Sequence, residues 1–370
     1  MEVEPNVASA SFSGTVSVDV VVHEPVTDMV LNAADLAISD VEVRLADASA
    51  LSCAVSFVDE LEQVVFRAPS ALPPGPCTVS CRFSGTLNDK LRGFYRSTYT
   101  TPDGDVQTIA TTQFESVDAR RAFPCWDEPD RKAVFEITLV VDPDVEAYSN
   151  SPVAETTVQG DKRRIRFAPT MKMSTYLVAY VVGKLQTTET VDVDGVPLRV
   201  VCTPGKLPLA DFALEIGAFA LRFFSQYFNI PYPGDKVDLV AIPDFAAGAM
   251  ENLGCITFRD TALLVNPAEA ARAELERVAD VVPSGTGPYA NGCWRSESSV
   301  RDTSGCPPWR MNVFMTSRTG APLASSSASH RSVVTVLPYA CVLRYARTPS
   351  RKTSGPMYCS SMRRTAHPFS

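Results

Sequence analysis

The sequence predicts a multidomain chain, β first and α+β after it. Three observations carry this: short alternating apolar segments fill the first 200 residues, a long apolar helical pattern opens at residue 211, and the charge balance inverts after Asp280. Over 15–22 the alternation sets Val16, Val18, Val20 and Val22 on one face, since successive strand side chains point to opposite sides. Over 133–141 it does the same for Phe135, Ile137, Leu139 and Val141, and 176–182 is a short apolar run. Pro73-Pro74-Gly75, Pro102-Asp103-Gly104 and Asp194-Gly195 supply turns, because proline presets φ and glycine tolerates positive φ. Many short strands with polar turns predict a β-saddle or sandwich over residues 1–200.

From about residue 205 the period changes. Residues 211–228 hold no proline, and Leu214, Ala218, Leu221 and Phe228 are spaced for one buried helical face. Pro231 and Pro233 close that segment, and 236–242 reads as a strand. Asn266-Pro267-Ala268-Glu269 predicts a helix start, with Asn as cap, Pro at the first helical position and Glu placed for a capping box. That helix is expected through 271–282, with Pro283 breaking it and Gly285, Gly287 and Pro288 preventing its recovery. The domains expected are therefore 1–200, all β; 201–282, the start of a mixed domain; and 283–370, an irregular tail.

The tail departs from the rest in composition. Residues 1–280 carry 23 basic and 40 acidic side chains, whereas 281–370 carry 11 basic ones and only Glu297 and Asp302 as acids. The same stretch holds 16 serines and 9 prolines and shows no sustained helical or strand period. Either it is a basic disordered extension, or it is translated out of frame, which gives biased composition without structural logic. The second reading is favoured for a reason given below.

Whole-chain composition excludes several classes. Of 370 residues 45% are hydrophobic and 21% charged, ordinary for a soluble globular protein. No run of about eighteen apolar residues occurs, so no membrane span is expected. The acidic start Met1-Glu2-Val3-Glu4-Pro5 lacks a secretory pattern, which makes cytoplasm the expected location. Ten scattered cysteines without a CxxC pair predict free thiols. The net charge of −8 argues against nucleic acid as a partner.

Two motifs stand out. Gly248-Ala249-Met250-Glu251-Asn252 spells GAMEN, preceded by Ile242-Pro243-Asp244-Phe245-Ala246-Ala247. A given pentapeptide occurs by chance in roughly one chain in ten thousand of this length. Upstream, Thr112-Gln113-Phe114-Glu115 leads to Asp118-Ala119-Arg120-Arg121-Ala122-Phe123-Pro124-Cys125-Trp126-Asp127-Glu128-Pro129. Both segments resemble those of the gluzincin (thermolysin-like) zinc aminopeptidases, and the resemblance runs from about residue 12 to 282. It implies a thermolysin-like catalytic domain that begins near 201 and is truncated in this chain, zinc as the family's cofactor, and peptides with a free N-terminus as partners.

The resemblance further implies that Glu251 and Glu115 bind the substrate amine and that Gln113 lines the pocket for the first side chain. The chemistry is sound, because fixed carboxylates recognise an α-ammonium group through charge-assisted hydrogen bonds. Gly248 and Ala249 leave room for a substrate backbone to approach and pair like an added strand. Met250 and Asn252 complete the candidate segment, with Met250 read chiefly as packing. Arg120, Arg121, Trp126 and Asp127 read as residues that hold the domain together, and Cys125 and Cys255 as small buried hydrophobes.

The family's zinc motif, HExxH on a helix with a further Glu one helix later, is missing. In register it belongs at 284–288, where Ser284, Gly285 and Pro288 stand, and the third ligand falls near Pro307. His23, His330 and His367 are the sequence's three histidines, and no two have ligand spacing. One permitted codon choice for 285–289, read one nucleotide out of register, encodes Glu-Leu-Ala-His-Met, the second part of such a motif in the expected place. The first histidine is not recovered from Ser284, yet the coincidence favours the out-of-frame reading. The chain is thus expected to bind no zinc and to be catalytically inactive as written. The alternatives are a non-catalytic module that holds peptide N-termini or another protein, and a purely structural β protein.

Overall fold

The computed structural model describes residues 1–287, 312–315 and 334–337. Residues up to 287 fall within one compact unit. In a second unit Asn312–Met315 and Val334–Leu337 pair antiparallel. Pro288, Pro307, His330, His367 and most of the expected irregular tail lie outside the described residues.

The N-terminal part is mostly β, as expected. Ser11–Val22 contains the predicted strand 15–22 and pairs with Gly75–Thr86 over its full length. Val16 is buried, Val18, Val20 and Val22 are half-buried, and Val21 is 60% exposed, so the alternation holds. This pair belongs to an eight-stranded sheet, in which Glu2–Asn6 joins Ser11–Val22 to Thr138–Val141. A three-stranded sheet (Val26–Asn32, Gln63–Leu72, Ala54–Val58) accompanies it. A four-stranded sheet runs Glu146–Ser149, Tyr180–Gly183, Val106–Gln113, Gly93–Thr100. Its core is aromatic: the Phe94 and Tyr180 rings meet edge-on at 4.8 Å, and Phe114 adds a second edge contact to Tyr180.

Two predicted strands are shorter than expected. Of 133–141 only Thr138–Val141 is strand, because the Phe135 N–H donates to Thr170 Oγ1 and Ala133 bridges Met173 instead. Of 176–182 only the end is strand, in Tyr180–Gly183, and Thr175–Leu177 is a helical turn. Here Asn150 displaces the ladder: its Nδ2 donates to Leu177 O and its Oδ1 accepts from Ala179 N.

The six-stranded sheet is mixed. Val196–Cys202, Val237–Ile242 and Cys255–Arg259 run parallel, and α1 (Asp211–Phe228) is the crossover between the first two. Ala249–Met250 pairs antiparallel with Cys255–Arg259 and ends the order of strands. α1 has the predicted limits and buries Phe212, Ile216, Ala218 and Leu221, with Leu214 and Phe228 half-buried. It stops at Asn229, whose φ of 52° places it in the left-handed region, so the end precedes the prolines.

The second helix corrects the expectation at both ends. α2 spans Arg272–Thr286, whereas a start at Asn266 and a break at Pro283 were expected. Asn266 instead caps an isolated turn by accepting the Ala268 N–H, and the helix entry is held by Glu274 Oε2 accepting from Ala271 N. Pro283 removes one donor, but the Ser284 and Thr286 hydroxyls bond back to the carbonyls of Asp280 and Val282. Val278, Ala279, Val282, Pro283 and Gly285 are buried. A Cβ on Gly285 would lie 3.1 Å from both Ile256 and Phe258, so this turn sits close against the sheet. Burial carries the helix through its own breaker. No helix of the described residues is long and apolar enough to cross a membrane.

One hydrophobic cluster runs from Val3 and Phe12 through Phe94, Phe114 and Tyr180 to Val240, Ile242, Phe245 and Met250. Polar contacts parallel it. The Lys236 ammonium, 7% exposed, donates to Ser149 O, Gly254 O and Asp238 Oδ2. Asp238 also accepts from Arg199. Burial alone would raise the Asp238 carboxyl, but Lys236 and Arg199 outweigh it and hold the group below the usual range. Asn150 Nδ2 also donates to Leu253 O. Of the six cysteines among the described residues five are buried, including Cys125 and Cys255.

Gly254 has no room for any other residue. Its φ is +75°, and an added Cβ would lie 1.9 Å from the Asn150 carbonyl oxygen. Gly254→Ala should therefore cost at least about 2 kcal/mol in urea unfolding, from backbone strain and overpacking together. A change within about 0.5 kcal/mol would show that the turn is not held as described.

Candidate functional site

The GAMEN segment is built as an edge. Ala249 and Met250 face Phe258 and Thr257 across the ladder, and the Arg259 N–H donates to Gly248 O. Their outer side has no strand partner among the described residues. Met250 is fully buried in the core, and Asn252, 2% exposed, donates from Nδ2 to Thr257 Oγ1. These two side chains thus hold the turn in place, while the main chain of 248–250 forms the open edge. A Cβ on Gly248 would only reach ordinary contact with Val281 of α2, 3.7 Å away. The glycine leaves space on the α2 side and meets no steric demand from the protein itself.

Gln113 ends the strand Val106–Gln113, and Glu115 follows on an exposed turn whose Glu115–Ser116 peptide is cis. Gln113 Oε1 is buried without a hydrogen-bond partner among the described residues. A buried acceptor left open is uncommon. Tyr95, whose backbone faces Thr111 across the hairpin, donates its hydroxyl to Asp244 O, which brings the approach to GAMEN against this sheet.

The two predicted carboxylates come together electrostatically. Glu251 is half-buried, and its carboxyl is pushed up to about 7. Burial is the largest cause, a backbone hydrogen bond opposes it, and the negative charge of Glu115 raises it further. Near neutral pH the pair therefore carries less than two full charges, and a cation docking there would draw the remaining proton off.

Zinc can be tested against the turn of α2 where the motif was expected. Ser284 and Thr286 turn their hydroxyls back onto their own helix, and Gly285 packs on Ile256 and Phe258. No group of three or more His, Cys, Asp or Glu among the described residues is placed to hold a metal. These residues do not fit a zinc ion.

Arg120 and Arg121 have structural partners. Arg120 pairs with Asp127, which also accepts from Thr175 Oγ1, and Arg121 pairs with Asp118, Asp35 and Glu62. The second arginine lines a surface cavity of about 480 Å³ with Asp35, Phe57, Asp59 and Glu62, which includes none of the predicted site residues. Sequence reasoning passed over Lys236, Asn150 and Asp244. The signal available was Asp244 inside the GAMEN approach; nothing local marked the other two.

Glu115→Gln should lower the Glu251 midpoint by removing the adjacent charge, and leave it above the usual carboxylate range because burial persists. Carboxyl NMR titration reads this directly. The raised folded-state value means that Glu251 binds its proton more tightly folded than unfolded, so stability falls as pH rises from about 4.5 to about 7. Glu251→Gln should accordingly be more stable than the parent at pH 8, with the difference vanishing at pH 4.

Comparison with known proteins bears on both parts of the chain. Residues 1–177 match the Peptidase M1 N-terminal domain, and residues 212–283 match the Peptidase family M1 domain. Aminopeptidase M1 of Arabidopsis thaliana is 44% identical over 286 residues, 76% of this chain and 32% of its own length. Aminopeptidase M1-A of Oryza sativa subsp. japonica is 45% identical over 282 residues, 75% of this chain and 32% of its own. Puromycin-sensitive aminopeptidase of Caenorhabditis elegans is 39% identical over 286 residues, 76% and 30% respectively. The chain thus spans about a third of the length of the curated relatives it matches.

Proposed function

Because the chain belongs to peptidase family M1 over residues 1–177 and 212–283, we propose that it carries the part of an aminopeptidase cleft that holds a peptide's N-terminus, without the part that performs hydrolysis. The observation that carries this reading is the coupling of Glu251 to Glu115 beside an open sheet edge. An α-ammonium group docks between the two carboxylates, donates charge-assisted hydrogen bonds to both, and displaces the proton held by Glu251. A blocked N-terminus has no charge and a single N–H donor, so it cannot satisfy both carboxyl groups. The first residue's backbone pairs with the outer edge of Gly248–Met250, and its side chain lies toward Gln113.

Zinc supplies Lewis-acid chemistry in the family that the sequence resembles, polarising the scissile carbonyl and activating water. The residues at 284–287 do not offer it ligands, and the 370-residue sequence contains no HExxH. Catalytic inactivity is therefore part of the proposal, as are the division into domains at about 200 and 282 and the out-of-frame origin of the segment beyond. A cytoplasmic setting belongs to the same reading, and the buried free thiols suit a reducing compartment.

Calorimetry with a short free-amine peptide and its acetylated twin tests the binding. The free peptide should bind and the acetylated one should not, with binding lost in Glu251→Ala. Equal or absent binding sinks the proposal. No aminoacyl reporter amide should be hydrolysed, and chelator-sensitive turnover would contradict that. Sequencing the transcript across codons 275–310 decides the reading frame: an in-frame HExxH rejects inactivity for the natural product, and its absence in every frame rejects the frameshift.

A further inference from the structure

Residues 243–248, which lead into Glu251, form no helix and only bends, so their placement must come from bonds to other elements. Asp244 makes four such bonds, all to the strand Gly93–Thr100. Its Oδ2 accepts from Ser97 Oγ at 3.1 Å and from Thr98 N at 3.0 Å. Its own N–H donates to Ser97 Oγ at 2.9 Å, and its carbonyl accepts from Tyr95 OH at 2.9 Å. Ser97 and Tyr95 are both fully buried, which fixes the donors in place. Just beyond, Arg259 holds the carbonyls of Phe245 and Ala246, and Phe245 is buried in the core.

The receiving strand is the hairpin partner of Val106–Gln113. Gly93 faces Gln113, Tyr95 faces Thr111, Ser97 faces Ile109 and Thr98 faces Thr108, so the contact lies two to five residue pairs from the end of the hairpin that leads to Glu115. We propose that Asp244 is a positioning residue for the amine-holding pair: it locks the segment carrying Glu251 onto the hairpin carrying Gln113 and Glu115, and so sets the separation of the two carboxylates. The inference rests on the reading of Glu115 and Glu251 as a pair, but not on whether peptides bind there. Asp244 is exposed and in none of the ion pairs among the described residues, so its role needs an acceptor oxygen rather than a charge. Asparagine should therefore replace it, and alanine should not.

The test is a carboxyl NMR titration of Glu251 in the full chain. It compares the parent, Asp244→Ala and Asp244→Asn, each with and without Glu115→Gln. In the parent, Glu115→Gln lowers the Glu251 midpoint. In Asp244→Ala that response should shrink to less than half, and in Asp244→Asn it should be kept. An undiminished response in Asp244→Ala overturns the inference, as does an equal loss in Asp244→Asn. If Asp244→Ala fails to fold, Ser97→Ala removes the shared hydroxyl and supplies the same comparison. No response to Glu115→Gln in the parent would remove the pair itself and both readings with it. A response that depends on Asp244, together with failure of the free-amine peptide to bind, would retain the positioning role and reject only the proposed function.

Discussion

A buried ammonium is the constraint on which the site depends. Lys236 is surrounded by a carbonyl from the β part (Ser149), a carbonyl from the turn after GAMEN (Gly254), and the Asp238 carboxylate. A lysine taken out of water is tolerated only when its donors are met and its charge is balanced. Meeting them requires three separate stretches of chain to converge. Asn150 reinforces the same junction, and Gly254 has no side chain to obstruct it. The edge strand and Glu251 inherit their position from that junction on one side and from Asp244 on the other.

The two ends of the segment are held by different chemistry. At the Asp244 end the bonds are neutral or singly charged and reach an exposed residue, so water competes for them. At the Gly254 end they are buried and charge-assisted, and are correspondingly stronger. Glu251 lies between a rigid anchor and a softer one. Its neighbouring charge, Glu115, follows the hairpin to which the softer anchor is tied.

Sequence legibility followed the range of the interactions. α1 was legible to the residue because an eighteen-residue amphipathic pattern is a local property. The alternation in Ser11–Val22 was legible for the same reason. The ends of α2 were not. Pro283 and Asn266 carry strong local signals, and both were overridden: Pro283 by burial of the helix turn in which Gly285 sits against Ile256 and Phe258, Asn266 by a turn that closes before the helix begins. The shortened strands at Thr138–Val141 and Tyr180–Gly183 were hidden likewise, since Thr170 and Asn150 compete for their backbone groups from distant positions. In the candidate site, GAMEN and Glu115 were visible as motifs. That Met250 packs was legible too; that Asn252 turns into the protein, and that Lys236 and Asn150 hold the turn, required three dimensions.

The edge strand Ala249–Met250 is only two residues long. An unpaired sheet margin is a hazard, because its free amides and carbonyls can recruit a foreign strand and seed aggregation. Here the margin ends almost at once, where Asn252 commits its side chain to Thr257 and the chain turns through Gly254. So brief a margin has too few backbone groups to propagate a ladder between molecules, and among the described residues this flank stays open without inviting polymerisation.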